Sequence, residues 1–180
     1  MSSTVSSTEL NGLSLTKLKE LVELVNKNPE NAAPLNKWNA RVKWQGGFKS
    51  QAYVREHAFL LDEPSTLAGV NSAPNAVEYL ISSLGGCYLV GFVLNATKRG
   101  VKVDDAEVML EGQLNNILTF FGLSDKGHPG LDKINAKLYT RTKADRKIVE
   151  EIWKETVNGS PVSNSLSRNV TVIPEISISR

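Results

Sequence analysis

The sequence predicts a single α+β domain whose sheet is mainly antiparallel. After an N-terminal helix, the apolar pattern indicates two or three strands, a helix, two strands, a helix and a last strand. Consecutive strands that follow one another without a helix between them are typical of α+β proteins with antiparallel pairing. The 180 residues, 41% hydrophobic and 22% charged, suffice for one core. A long uncharged segment in the middle predicts a central helix that the other elements bury.

The first predicted element is an amphipathic helix over residues 14–27. Leucines and valines recur there at helical spacing after a Ser14 cap, and the pattern stops before Pro29. We therefore expect residues 1–37 to form an N-terminal tail and helix, and residues 38–180 to form the main domain. The first residues lack the basic and apolar segments of a secretory signal, so none is expected.

Strands are predicted on both sides of the central helix. From Trp38 the apolar period changes to two, and Gly46-Gly47 supplies the turn of a hairpin that runs to Arg55. The later elements are a third strand at 57–61, strands at 106–114 and 134–138, a helix beginning near Ala144 and a last strand at 170–178.

The central segment could span a membrane by length alone. Residues 79–97 carry no charge, which is about the length of a bilayer span. Polar residues and glycines interrupt the segment, so a buried helix over 75–99 is favoured. Gly85, Gly86 and Gly91 lower helix propensity. Either a close helix crossing, conceivably with a second copy of the chain, or a local kink would explain them.

Charge and cysteine content narrow the function. A net charge of +2 does not favour nucleic acid as a partner. Cys87 is the only cysteine, which excludes an intrachain disulfide and favours a cytoplasmic protein. His57 and His128 lack metal-binding spacing, so we expect neither a metal nor a bound cofactor. Nucleotide-binding loops and serine-hydrolase motifs are absent from the sequence.

Cys87 is the main candidate for chemistry, because a thiolate is a strong nucleophile at neutral pH. The alternative is a packing role, which is common for buried free cysteines. Its position about three turns into the helix keeps it away from the helix dipole, so activation would need a cationic neighbour. A triad with His57 is a further alternative, for which the sequence supplies no geometry.

Four segments carry a resemblance to a known family. They are Asp62-Glu63-Pro64, the run from Ala76 to Cys87, the segment from Phe120 to Gly130, and Ser160-Pro161. Together they resemble the OsmC/Ohr family of osmotically inducible and organic-hydroperoxide-resistance proteins over residues 38–178. The resemblance implies an intertwined homodimer in which the cysteine-bearing helices cross at the centre, with an extra N-terminal helix here.

The resemblance also implies residue roles. In the peroxidase members one cysteine attacks a hydroperoxide, an arginine activates its thiolate, and a second cysteine then forms a disulfide. Cys87 matches the first cysteine, whereas Ser160 stands in place of the second, so turnover would need an external thiol. Arg55 is the preferred arginine and Arg41 the alternative. Glu78 lies on the opposite side of the helix from Cys87, so it is not expected to act there.

The leading hypothesis is therefore an OsmC-like redox protein of the oxidative stress response. It would be a cytoplasmic homodimer that uses Cys87 and Arg55 to reduce organic hydroperoxides, as a thiol-dependent peroxidase without a cofactor. The alternative is a non-catalytic dimer that binds a small apolar molecule, with Cys87 structural. A third hypothesis is a structural or stress-related protein that acts as a partner of other proteins and binds no small ligand. None of these involves nucleic acid or a membrane.

Overall fold

A computed structural model describes residues 9–179. All strand pairs in these residues are antiparallel, in the sheets β1–β2, β3–β4–β5 and β6–β7. The mixed helix and antiparallel sheet confirm the predicted fold class. The elements are β1 (Glu9–Leu10), β2 (Leu13–Ser14), α1 (Leu15–Lys27), β3 (Arg41–Gly46), β4 (Lys49–Val54), β5 (His57–Leu61), α2 (Ala76–Lys98), β6 (Val103–Leu114), β7 (Leu131–Thr142), α3 (Arg146–Gly159) and α4 (Pro161–Ser167).

The starts of α1 and α2 are fixed by capping side chains. The Ser14 hydroxyl accepts a hydrogen bond from the Lys17 N–H at 3.3 Å. At α2, Asn75 Oδ1 accepts from the Glu78 N–H at 2.9 Å, and Glu78 Oε2 accepts from the Asn75 N–H at 2.8 Å. This reciprocal pair satisfies two N–H groups that a helix start leaves open. It also holds Glu78 about 13 Å along the helix from Cys87.

The core lies between the C-terminal half of α2, helix α3 and the β6–β7 hairpin. Phe92, Ala96 and Ile152 are almost completely buried there. Gly91 brings the two helices together, because a Cβ at this position would lie 3.1 Å from Thr156 Cγ2. A close helix crossing therefore does occur at one of the three glycines, and its partner is α3 of the same chain.

The β3–β4–β5 sheet adds little to this core. Ala52 is the one residue of these three strands that is buried in the described chain. Trp44 is 72% exposed. The sheet is attached to α2 through Tyr79, whose hydroxyl donates to the Leu60 carbonyl at 2.9 Å and whose ring centre lies 4.9 Å from that of Phe59. The apolar side chains of β3, Val42 and Trp44, are therefore largely uncovered.

The Asp62 carboxylate stabilises the loop that joins this sheet to α2. Asp62, 2% exposed, accepts hydrogen bonds from the Glu63 N–H at 2.9 Å and from the N–H and hydroxyl of Ser72 at 2.9 and 2.8 Å. The bond from the Ser72 N–H is the largest cause of a pKa of Asp62 below its usual value, although burial opposes it. A Cβ at Gly69 would overlap the Glu63 carbonyl, so this turn requires glycine.

The predicted last strand is not formed. Residues 168–179 contain no regular element, and their apolar side chains are exposed, Ile176 by 86%. The apolar spacing is typical of a strand, but a strand needs a neighbouring backbone to pair with. None of the strands in the described part of the chain pairs with this segment, so the prediction is wrong for a single chain.

Helix α2 is buried along one side within a single chain. Six of its 23 residues are buried, whereas Val90 is 70% exposed. In the described residues, α2 alone meets the length and composition criteria for a membrane span, which core helices of soluble proteins also meet. Its uncovered side forms one wall of the groove that contains Cys87.

The β1–β2 hairpin, which the sequence did not predict, ties the N-terminal region to the domain. Asn11 lies at its turn with φ of 55°. Its Nδ2 donates to Thr97 Oγ1 at 3.0 Å and to the Val101 carbonyl at 2.9 Å, and its Oδ1 accepts from the Val103 N–H at 2.8 Å. Helix α1 itself has no buried residue. The division into 1–37 and 38–180 stays a prediction.

Candidate functional site

Cys87 lies in the middle of α2, in an open groove of about 830 Å³. One wall is the face of α2 that runs from Cys87 through Val90 and Leu94 to Lys98. These positions share a face because they are separated by three, four and four residues. The end of α3 and the start of α4 form the opposite wall, and Trp38 also lines the groove. The walls are mainly apolar.

The Cys87 sulfur is hydrogen-bonded to Ser160. The Ser160 hydroxyl donates to Sγ over 3.1 Å, and the same oxygen accepts from the Ser163 N–H at 3.1 Å. Ser160 is 4% exposed, whereas Cys87 is half-buried. Ser160 ends α3 and caps the start of α4. One residue therefore connects the thiol to two helix ends.

Helix α4 was missed by the sequence predictions, although it has a recognisable signal. A serine followed by proline is a favourable N-cap and first helical position, and Ser160-Pro161 provides it. The helix is held against α2 by Tyr88, whose hydroxyl donates to Ser163 Oγ at 3.0 Å. The sequence placed Ser160 at the motif of a second cysteine, but its bond to Cys87 emerged only from the structure.

The predicted arginine does not reach the groove within its own chain. Arg55 is exposed in the two-residue turn between β4 and β5, with φ of 53°. Arg41 lies over the Tyr53 ring, 4.5 Å from its centre. Neither arginine lines the groove around Cys87. The role of Arg55 stays a prediction, and it depends on a second subunit.

The remaining titratable groups do not form a catalytic cluster with the thiol. Lys98 is the one basic residue lining the groove of the described chain, and it lies about 16 Å along α2 from Cys87. His57 is exposed and contacts Glu56, with His57 Nε2 3.0 Å from Glu56 Oε1. Within residues 9–179, no group of three or more His, Cys, Asp or Glu side chains is placed to hold a metal ion.

The two glycines before Cys87 have different surroundings. A Cβ at Gly85 would lie 2.7 Å from Leu110 Cδ1, so Gly85 allows α2 to pack closely on β6. A Cβ at Gly86 would meet no heavy atom of the described residues within 4 Å, and Gly86 lines the groove. Packing within the chain therefore explains Gly85 and Gly91. No close approach by the described residues explains Gly86.

The family model described as OsmC-like protein matches residues 69–175. This range begins at Gly69, so it includes Cys87, strands β6 and β7, and Ser160. The chain therefore belongs to the OsmC-like protein family. A comparison with curated proteins found no match.

Solved structures with the same fold are distant in sequence. The OsmC-like protein of Mycoplasma pneumoniae is 17% identical, with a TM-score of 0.63 over 73% of this chain and 88% of that chain. An OsmC-like protein of Vibrio cholerae is 14% identical, with a TM-score of 0.62 over 72% and 93%. An organic hydroperoxide resistance protein OsmC of Legionella pneumophila is 16% identical, with a TM-score of 0.54 over 73% and 90%. At these identities the likeness establishes the fold.

Proposed function

We propose that this protein is a cytoplasmic, homodimeric thiol peroxidase of the oxidative stress response, with Cys87 as its nucleophile. The observation that carries the proposal is the hydrogen bond from buried Ser160 to a half-buried thiol in an open apolar groove. Membership of the OsmC-like family supports it. So does the likeness in fold to the Legionella pneumophila hydroperoxide resistance protein.

The chemistry follows from a chain with one thiol. The Cys87 thiolate attacks the terminal oxygen of an organic hydroperoxide; an S–O bond forms, the O–O bond breaks, and the alkoxide leaves and takes a proton to become an alcohol. A small-molecule thiol then attacks the sulfenic acid, which releases water and leaves a mixed disulfide. A second thiol cleaves that disulfide, regenerates Cys87 and leaves as the oxidised disulfide.

A second subunit is part of the proposal. Apolar side chains are uncovered on the β3–β4–β5 sheet, on the groove side of α2 and in residues 168–179. Exposed apolar side chains in such number are typical of a chain that buries them against a partner. No arginine of the described residues lines the groove, so the proposal takes the arginine that activates Cys87 from the partner. Arg55 is exposed and keeps its place as the preferred candidate, while Arg41 is engaged with Tyr53.

Hydroperoxide consumption tests this function. Purified protein would be mixed with cumene hydroperoxide in three parallel reactions. Each reaction contains one reductant: glutathione, dithiothreitol or dihydrolipoamide. We expect turnover by the wild type with at least one thiol, and background rates for Cys87→Ser. Arg55→Ala should lower the rate, and Arg41→Ala serves as the matched control. Background rates for the wild type with every reductant would refute the peroxidase.

The second candidate function is binding of a small apolar molecule without catalysis. The observation that favours it is the apolar groove, whose lining by the described residues includes no arginine or histidine. A ligand that binds only the folded protein raises its melting temperature. A thiol that resists alkylation in the folded protein, together with such a rise on adding an apolar ligand, would favour this function over the peroxidase.

A further inference from the structure

We propose that Ser160 is a positioning residue that directs its hydroxyl proton at the Cys87 sulfur and so favours the thiolate. The inference rests on the proposed function for its catalytic consequence, because a peroxidatic cysteine reacts as the thiolate. It assigns a role to the residue that replaces a second thiol. Its physical basis is the 3.1 Å contact between Ser160 Oγ and Cys87 Sγ.

The hydrogen-bond partners of Ser160 Oγ determine the direction in which its hydroxyl proton points. A serine hydroxyl has one proton and two acceptor positions. The Ser163 N–H occupies one acceptor position at 3.1 Å. Within the described chain, the Cys87 sulfur is the acceptor that the Ser160 hydroxyl finds. The proton therefore points along the line from Oγ to Sγ.

The backbone of Ser160 keeps this geometry in place. Its N–H donates to the Val157 carbonyl at 3.4 Å, and its carbonyl accepts from the backbone N–H of Asn164 at 3.0 Å and from Asn164 Nδ2 at 2.9 Å. Asn164 Nδ2 also donates to the Asn158 carbonyl at 2.9 Å. These bonds join the end of α3 to the start of α4. The Ser160 side chain therefore lies at a hydrogen-bonded junction between α3 and α4, and this junction faces α2.

The Ser160 hydroxyl stabilises the thiolate and the neutral thiol of Cys87 to different extents. A hydrogen bond to a charged acceptor is stronger than one to a neutral acceptor, so the hydroxyl stabilises the thiolate more than the thiol. Ser160 is 4% exposed, so water does not readily replace it. After oxidation, serine cannot form a disulfide with the sulfenic acid. The oxidised sulfur then stays accessible from the groove to an external thiol.

The charged side chains that line the groove with Cys87 in the described chain are Lys98 of α2 and Glu155 of α3, and the variants below leave both unchanged. The test is the pH dependence of Cys87 alkylation by iodoacetamide, which needs no peroxidase substrate. Ser160→Ala and Ser160→Gly remove the donor, and glycine is tolerated at a helix N-cap. We expect both variants to move the pH midpoint of alkylation upward by about one unit, a tenfold change in the equilibrium. Ser160→Thr keeps a hydroxyl and should restore the wild-type midpoint.

Ser163→Ala is the matched control. It removes a serine hydroxyl from the same helix but keeps the backbone N–H that bonds to Ser160. An unchanged midpoint in Ser160→Ala and Ser160→Gly would overturn the inference, as would an equal shift in Ser163→Ala. If the midpoint shifts as expected but the wild type reduces no hydroperoxide, the role of Ser160 stands and the proposed peroxidase fails.

Discussion

The region around α3 and the region around the β3–β4–β5 sheet use their apolar residues in opposite ways. Ile152 of α3 is completely buried between α2 and the β6–β7 hairpin, whereas Val42 and Trp44 of β3 are largely exposed. The first region completes its core within the chain. The second leaves apolar side chains uncovered, and these are where the proposed second subunit would pack.

Cys87 lies on α2 beside the packed region. On one side of α2, Phe92 packs into the core with α3. On the other side, Gly86 and Val90 face the open groove. One chain therefore positions the thiol and its serine partner, and its described residues bring no arginine to the groove.

The largest effect is expected in the packed region. Ile152→Ala should lower the free energy of unfolding by about 2–5 kcal/mol, because it leaves a cavity in a site with no solvent access. Urea unfolding followed by circular dichroism measures this loss. Val22→Ala, on the exposed α1, is the control and should change stability by less than about 0.5 kcal/mol. Equal losses in both variants would contradict the contrast in burial.

The next effect is expected on association. Ile176→Asp should raise the dimer dissociation constant at least about tenfold, because a charge at an apolar interface is poorly solvated. Sedimentation velocity over a dilution series measures the dissociation constant. Glu175→Gln, at the neighbouring position, is the control. A monomeric wild type, or unchanged association of Ile176→Asp, would show that the C-terminal segment has no partner.

A pair of glycine variants separates packing within the chain from packing between chains. Gly91→Ala should destabilise the chain itself, because its Cβ would press on Thr156. In Gly86→Ala the added Cβ meets no heavy atom of the described residues, and alanine favours the helix by about 1 kcal/mol relative to glycine. We therefore expect this variant to weaken dimerisation without destabilising the single chain. Unfolding and sedimentation measured on both variants test this. Destabilisation of monomeric Gly86→Ala would contradict it.

The smallest effect is expected at Asp62, in the loop that joins β5 to α2. Because the Ser72 hydrogen bonds lower the pKa of Asp62, the charged carboxylate stabilises the fold above its usual pKa of 3.8, and this stabilisation is lost as pH falls through the lower folded value. Asp62→Asn should therefore be less stable than wild type at pH 7, with the gap narrowing below pH 3.8. A pH-independent gap in urea midpoints would refute this.

Elements whose signals are local were predictable. The period-two pattern around Gly46-Gly47 predicted the hairpin, and the uncharged run predicted α2 within one residue of its ends. Strand β6 begins at Val103, three residues before the predicted start, because Val103 pairs with Thr142 across the sheet. Such pairing depends on a strand 39 positions later, which no local pattern specifies.

The candidate site divides in the same way. Cys87 was identifiable from its sequence context, and Ser160 from its place in a second motif. The bond between them joins residues 73 positions apart, and it exists because α4 turns back against α2. Arg55, by contrast, was assigned by resemblance, and its place in an exposed turn leaves that assignment dependent on a second chain.

The sequence alone specified the β3–β4 hairpin, the long helix α2, the Ser14 cap and the single thiol, because these depend on residues close together in the chain. Tertiary structure was needed to show that Gly91 contacts α3, that Ser160 donates to Cys87, and that residues 168–179 have no strand partner in the described part of the chain. These outcomes depend on distant backbones being brought together, and burial and pairing energies act only once that has occurred.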